Sequence, residues 1–199
     1  MNVRWQRGPL WSSGSASTPS PLVLKIGGSL LSRPHWPRLV EALVADVGDR
    51  MMTIVVGGGA IVDGLREIDD AAPQSPQVMH DIAIDALHLT AQLVARVTGL
   101  PISATPAPDA GACVLDVPVW LLEDGRSADL PASWNVTSDS IAARVAAAYG
   151  AELMLAKSLP PPSAWCGTSL DGLAKSGWVD GHFPTAAAGV TRIGWTAPA

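Results

Sequence analysis

Two lysines stand in apolar surroundings that ordinarily exclude charge. Lys25 lies inside the run Leu22 to Ile26 (LVLKI), and Lys157 follows Glu152 to Ala156 (ELMLA). Gly27, Gly28 and Ser29 come directly after the first run, and Gly57, Gly58 and Gly59 after a third, Met52 to Val56 (MTIVV). Glycines after a strand let backbone N–H groups approach phosphate oxygens, and a helix N-terminus behind them adds positive potential. One such pair alone is more often a tight turn or a close packing contact. Two turns, each after a buried strand and each opening a helix, favour anion binding. A single lysine could pack its stem and send its ammonium to water. Two of them beside candidate phosphate loops favour cations that neutralise charge in phosphoryl transfer.

The segment Asn135-Val136-Thr137-Ser138-Asp139 adds hydroxyls and a carboxylate at the start of a predicted helix. An acid in a first helical turn is ordinary dipole compensation. Its functional reading is an anchor that orients the two lysines and limits their repulsion. No general base accompanies these groups, which disfavours a hydroxyl acceptor and fits one that is already anionic. Neither glycine turn is a G-x-x-x-x-G-K-[ST] loop, and no G-x-G-x-x-G occurs. Asp81, Asp85, His88 and Gln92 share one side of a predicted helix, where a solvated stripe is preferred to a metal or substrate face. His80 shares its face with Ile84 and Leu87, so a satisfied core histidine is favoured and a substrate-facing one is the alternative. The tryptophans (Trp5, Trp11, Trp36, Trp120, Trp134, Trp165, Trp178 and Trp195) are dispersed and are expected to serve core or rim packing.

These groups need elements to hold them. Strands are predicted at 22–26, 52–56, 112–115, 119–122, 152–156 and 190–193. Helices are predicted at 36–47, 60–68, 80–97 and 138–149, with a short one near Leu173. Gly99 and Pro101 stop the long helix, Thr137 or Ser138 caps the next, and Gly150 closes it. Residues 158–170, with Pro160, Pro161 and Pro162, are expected to form an ordered loop or a flap. Uniformly apolar strands alternating with helices imply a mainly parallel sheet covered on both faces, a three-layer α/β/α sandwich. In such sheets ligands bind outside the carboxyl ends of the strands. The two glycine turns, the 135–139 segment and Lys157 are all expected there.

The chain has 199 residues, 48% of them hydrophobic, enough for one good core. A single domain over 21–199 is expected. Residues 1–20, with the stretch WSSGSASTPSP, read as a flexible extension outside it. The formal net charge of -5 supplies no electrostatic case for nucleic acid or an anionic membrane. Cys113 and Cys166 have no metal-like spacing and read as reduced thiols of a cytoplasmic protein. No apolar run approaches the length of a membrane span.

Three segments taken together, LVLKIGGSLL (22–31), IVVGGGAIVDGLREID (54–69) and WNVTSDSIAARVAAAYGAELMLAKS (134–158), resemble the amino-acid-kinase superfamily of acetylglutamate, aspartate, carbamate and uridylate kinases. Within it the chain looks most like the short kinases of methanofuran-type cofactor biosynthesis, which phosphorylate an aminomethylfuran-methyl phosphate with ATP. That closer likeness rests on Asp63, Arg66, MHDIAIDALHLTAQLVARV (79–97), VTSDSIAA (136–143), Lys157 and SGWVDGHFP (176–184). The resemblance implies that Lys25 and Lys157 neutralise the transferred phosphoryl group while Asp139 orients them. It implies that Gly27, Gly28, Ser29 and Lys157 contact the ATP phosphates. Gly57, Gly58 and Gly59 would hold the acceptor's anionic group, with Asp63, Arg66, His80, Thr137 and Ser138 in the acceptor pocket. Mg²⁺ would arrive with ATP, without a protein cage. A homo-oligomer is implied as well, with the long helix as a possible interface.

The chain departs from the family after the second lysine. Relatives usually continue with an acidic-Gly segment, whereas this sequence reads Ser158-Leu159-Pro160-Pro161-Pro162. Two alternatives therefore stay open: a non-catalytic member of the fold that binds a metabolite or partner, and a kinase of an amino-acid carboxylate or a nucleoside monophosphate.

Overall fold

The computed structural model describes residues 4–12, 20–48, 50–106, 111–123, 126, 129–163 and 169–199. Its strands are β1 (Trp5–Ser12), β2 (Leu22–Ile26), β3 (Met52–Val56), β4 (Ile102–Ser103), β5 (Ala112–Leu115), β6 (Glu152–Ala156) and β7 (Arg192–Pro198). The helices are α1 (Trp36–Val47), α2 (Ala60–Ala71), α3 (Pro76–Thr98), α4 (Val117–Leu121), α5 (Ser138–Ala148), α6 (Leu170–Lys175) and α7 (Phe183–Ala186). A 3₁₀ turn spans Gly28–Ser32. Among the described residues one seven-stranded sheet forms, in the order β1-β7-β6-β2-β3-β5-β4. Every pairing is parallel except β1 with β7. This is the expected helix-flanked α/β sheet.

Side-chain alternation divides the core in two. Leu22, Leu24 and Ile26 of β2 join Met52, Ile54 and Val56 of β3 against Val40 and Leu43 of α1 and Ala91 and Val94 of α3. Val23, Val55, Leu153 and Leu155 point to the other face, against Ile141, Ala142 and Val145 of α5 and Leu173 and Phe183. Lys25 follows the same alternation as Val23. Its neighbours across the sheet are Val55 and Leu155. The period of two therefore aims the lysine at α5.

Several boundaries differ from expectation. Residues 5–12, expected outside the fold, form β1 along the edge of β7, with Leu10 buried and Arg7 ion-paired to Asp46. An antiparallel edge strand tolerates Gly8, Pro9 and polar residues, so no apolar run marks it. Residues 119–122, expected as a strand, belong instead to α4 and its end. Pro118 near the helix start supplies a preset φ, and four apolar residues cannot tell a strand from a buried turn of helix. The long helix begins at Pro76, because Ser75 caps it by accepting from the Val78 N–H (3.3 Å). The last strand is Arg192–Pro198, two residues later and longer than expected, since both β6 and β1 pair with it. Cys113 is buried in β5, whereas Cys166 and Trp165 lie outside the described residues. Among the described residues no helix is long and apolar enough to cross a membrane.

Candidate functional site

Lys25 from β2, Asp139 from the first turn of α5 and Lys157 just beyond β6 meet at the carboxyl end of the sheet. Lys25 Nζ lies 2.8 Å from Asp139 Oδ1, a close buried ion pair. Lys157 Nζ donates to Asp139 Oδ2 at 2.6 Å. The Lys25 and Asp139 side chains are each only 5% exposed, and that of Lys157 is 15% exposed. Burial by itself would raise the Asp139 carboxyl, but the two ammoniums outweigh it and hold its pKa below the ordinary value. Lys157 moves the other way. Burial, and then the charge of Lys25, lower its pKa from 10.5 to about 8, against the pull of Asp139 and Asp180. Lys157 therefore gives up its proton more readily than an ordinary lysine.

The two glycine turns press against one another, backbone on backbone. A Cβ on Gly28 would lie 2.1 Å from the Gly59 nitrogen and 2.4 Å from its Cα. A Cβ on Gly57 would lie 2.7 Å from Ser138 Oγ, and Gly59 has φ +53°. Glycine is required here by this contact as well as by any ligand. The amides of the turns divide into two sets. Gly27 N–H donates to Ala156 O (2.8 Å) and Gly57 N–H to Ile26 O (2.9 Å), so both extend the sheet and neither is available to phosphate. Among the described residues, no hydrogen bond uses the amides of Gly28, Ser29, Gly58 or Gly59.

Those four residues form one wall of a cleft of about 470 Å³. Asp63 and Arg66 of α2, His80, Ile84 and Leu87 of α3, and the 132–138 segment complete it. Arg66 pairs with Asp63 (2.8 Å) and lies 5.1 Å from the centre of the Trp134 ring. Trp134 Nε1 donates to Asp69 Oδ2 (2.8 Å), and Asp69 also accepts from the Gln74 N–H (2.9 Å). The Gln74 amide first, and then Trp134, hold the Asp69 carboxyl below its usual range. His80 lines the cleft half-buried; burial lowers its pKa, partly opposed by Asp81. Lys25, Asp139, Lys157, Gly27 and Gly57 are not in the lining. They adjoin it, since Lys25 leads into Gly28 and Ser29, and Asp139 follows Ser138.

Other expectations need correction. The 135–139 segment follows α4 and no strand. It reaches the carboxyl end of the sheet because α5 packs across β2. The Asp81–Gln92 stripe is not uniformly solvated: Asp81 and Asp85 are exposed, but His88 Nδ1 lies 3.0 Å from Asp116 Oδ1 and its Nε2 2.7 Å from Gln92 Nε2. Among the described residues no cluster of His, Cys, Asp and Glu could hold a metal ion.

Three residues at the site were not anticipated. Trp134 forms a wall of the cleft. The Trp178 carbonyl accepts from Lys157 Nζ (2.6 Å), and its ring centre lies 5.0 Å from the same atom. Asp180 accepts from the Thr137 N–H and hydroxyl and from the Ser140 N–H and hydroxyl. A Trp and an Asp two apart in SGWVDGHFP were visible in the sequence, but only the fold shows what lies opposite them. The departing loop is also tied down: Ser29 Oγ donates to Ser158 Oγ (3.1 Å) and Arg33 to Ser158 O (2.9 Å).

The amino acid kinase family model matches residues 20–112. No curated protein matches the chain by sequence. Among solved structures, uridylate kinase from Archaeoglobus fulgidus is 16% identical, with 88% of this chain and 99% of that one covered and a TM-score of 0.53. UMP kinase from Ureaplasma parvum is 13% identical, with 86% and 84% covered and a TM-score of 0.54. Aspartate kinase from Synechocystis is 15% identical, with 90% and 40% covered and a TM-score of 0.57. The chain thus has an amino-acid-kinase-like fold, and the amino acid kinase family model covers just under half of its sequence.

Proposed function

We propose that the protein is an ATP-dependent kinase that transfers the γ-phosphoryl group to an anionic small molecule. The acceptor we favour is an aminomethylfuran-methyl phosphate of one-carbon, methanofuran-type cofactor synthesis. The observation that carries the reading is the convergence of Lys25 and Lys157 on the buried Asp139, beside two glycine turns with uncommitted amides. Two ammoniums against one carboxylate leave a local excess of positive charge for a phosphoryl group in flight.

The bond between the β–γ bridging oxygen and the γ-phosphorus breaks, that oxygen leaving with the electron pair as part of ADP, while an acceptor oxygen bonds the phosphorus. An acceptor phosphate or carboxylate needs no deprotonation, which suits a site where the nearest carboxylates are engaged. Asp139 is held by two lysines and Asp180 by backbone and hydroxyl donors. Neither is disposed to bind metal, so Mg²⁺ is expected to enter with ATP. The Gly28, Ser29 and Gly59 amides would face phosphate, and Arg66 and His80 would face the acceptor. The uridylate kinases of like fold are named for a phosphate-bearing acceptor, which agrees with that choice.

A homodimer fits the surface of α3. Val78, Ile82, Leu89 and Leu93 share one exposed face of the helix.

The test is direct. Purified protein should turn over ATP in the presence of the furan phosphate, and Lys25→Ala should remove that turnover. Activity undiminished in the variant removes Lys25 from the reaction. Titration calorimetry with Mg-ATP separates the non-catalytic alternative, which predicts no binding at millimolar nucleotide.

A further inference from the structure

Lys157 is gripped from a side that the glycine turns do not touch. α6 ends in a left-handed glycine, Gly177 (φ +71°), whose N–H donates to Ala174 O while the Trp178 N–H reaches back to Leu173 O. This paired closure turns the chain sharply after the helix. It delivers the Trp178 carbonyl to Lys157 Nζ (2.6 Å) and lays the indole 5.0 Å from that nitrogen. The indole N–H donates onward to Leu159 O (3.2 Å), so one residue holds both the ammonium and the loop behind it. Two positions later Asp180 closes the segment onto α5. Its Oδ2 accepts from the Thr137 N–H and hydroxyl and the Ser140 N–H, and its Oδ1 from the Ser140 hydroxyl and the His182 N–H. Thr137 and Ser140 flank the turn that carries Asp139.

We infer that residues 178–180 form a strap that positions Lys157, with Trp178 gripping the ammonium and Asp180 fastening the strap to the turn that bears Asp139. Neither residue is a catalytic residue in this assignment; both act through Lys157. The strap deepens the phosphoryl-transfer reading and rests on it only for its catalytic consequence. With two donors of the ammonium committed to Asp139 and Trp178, a single N–H direction remains for a phosphoryl oxygen. The charged groups that bear on Lys157 are Lys25, which lowers its pKa, and Asp139 and Asp180, which raise it.

The chain has three lysines, and Lys175 is exposed on α6, so lysine acylation has an internal reference. Full-length protein is pulsed with acetic anhydride across pH 6–11 and the modified peptides are read by mass spectrometry. Wild-type Lys157 should become reactive with a midpoint near the value of about 8. In Asp180→Asn, which removes the charge, the midpoint should fall while that of Lys175 stays. An unmoved Lys157 midpoint in folded Asp180→Asn overturns the strap. Trp178→Leu keeps the carbonyl but loses the ring and its N–H, and remains informative should Asp180→Asn fail to fold. Lys157 should then be acylated several-fold faster relative to Lys175, and an unchanged ratio overturns the proposal. ATP turnover is measured in parallel. A shifted midpoint in a protein without turnover supports the strap and sinks the kinase reading; turnover with an unshifted midpoint does the reverse.

Discussion

Asp139→Asn tests the lysine cluster most sharply, because it removes one charge and almost no volume. The carboxylate contacts Lys25 at 2.8 Å and Lys157 at 2.6 Å and is 4% exposed. Removing one partner of a buried ion pair costs about 3–5 kcal/mol, since the remaining charges stay desolvated. For a chain of this size that is a fall in Tm of roughly 6–20 °C. The sign of the pH dependence follows from Lys157. Its folded-state pKa of about 8 lies below the ordinary 10.5, so the unfolded chain holds more protons between those values. Protonated burial of this lysine therefore costs stability at neutral pH, on the order of 3 kcal/mol, and the cost is relieved as pH rises from 8 towards 10.5. At pH 9.5 the wild-type Lys157 is already largely neutral, so its charge no longer contributes to what Asp139 holds. The penalty of Asp139→Asn should thus be smaller at pH 9.5 than at pH 7. Urea unfolding followed by far-UV circular dichroism at both pH values gives the two penalties. A penalty under about 1 kcal/mol at pH 7, or one that grows at pH 9.5, refutes the assigned charge balance.

Two further outcomes follow from packing. Gly28→Ala places a Cβ 2.1 Å from the Gly59 nitrogen and should destabilise the fold by about 2 kcal/mol or more, whereas Gly64→Ala on α2, with open space around it, should stabilise by about 0.5–1 kcal/mol; thermal melts compare the pair. Leu89→Asp, on the exposed face of α3, should lower the mass seen by light scattering to that of one chain, and an unchanged mass removes that face as the interface.

Much of the architecture was legible because periodicity is local. LVLKI and MTIVV are apolar throughout, as strands covered on both faces must be, and the glycines after them mark where each strand ends. The edge strand Trp5–Ser12 was not legible. Its partner lies nearly the whole chain away, and half-exposed antiparallel residues obey no strict apolar rule. The sequence by itself determined the residue types of the site: two lysines at strand ends, two glycine turns and an acid opening a helix. Only the tertiary structure decided their partners. Side-chain alternation turned Lys25 towards α5, the packing of α5 across β2 brought Asp139 between lysines 132 residues apart in number, and sheet pairing committed the Gly27 and Gly57 amides. It also made Trp134 and Trp178 parts of the site, where dispersed tryptophans had suggested only packing. Spacing along a chain records which groups a helix or strand presents. Which charge meets which across the sheet depends on contacts between distant segments, and no local pattern encodes them.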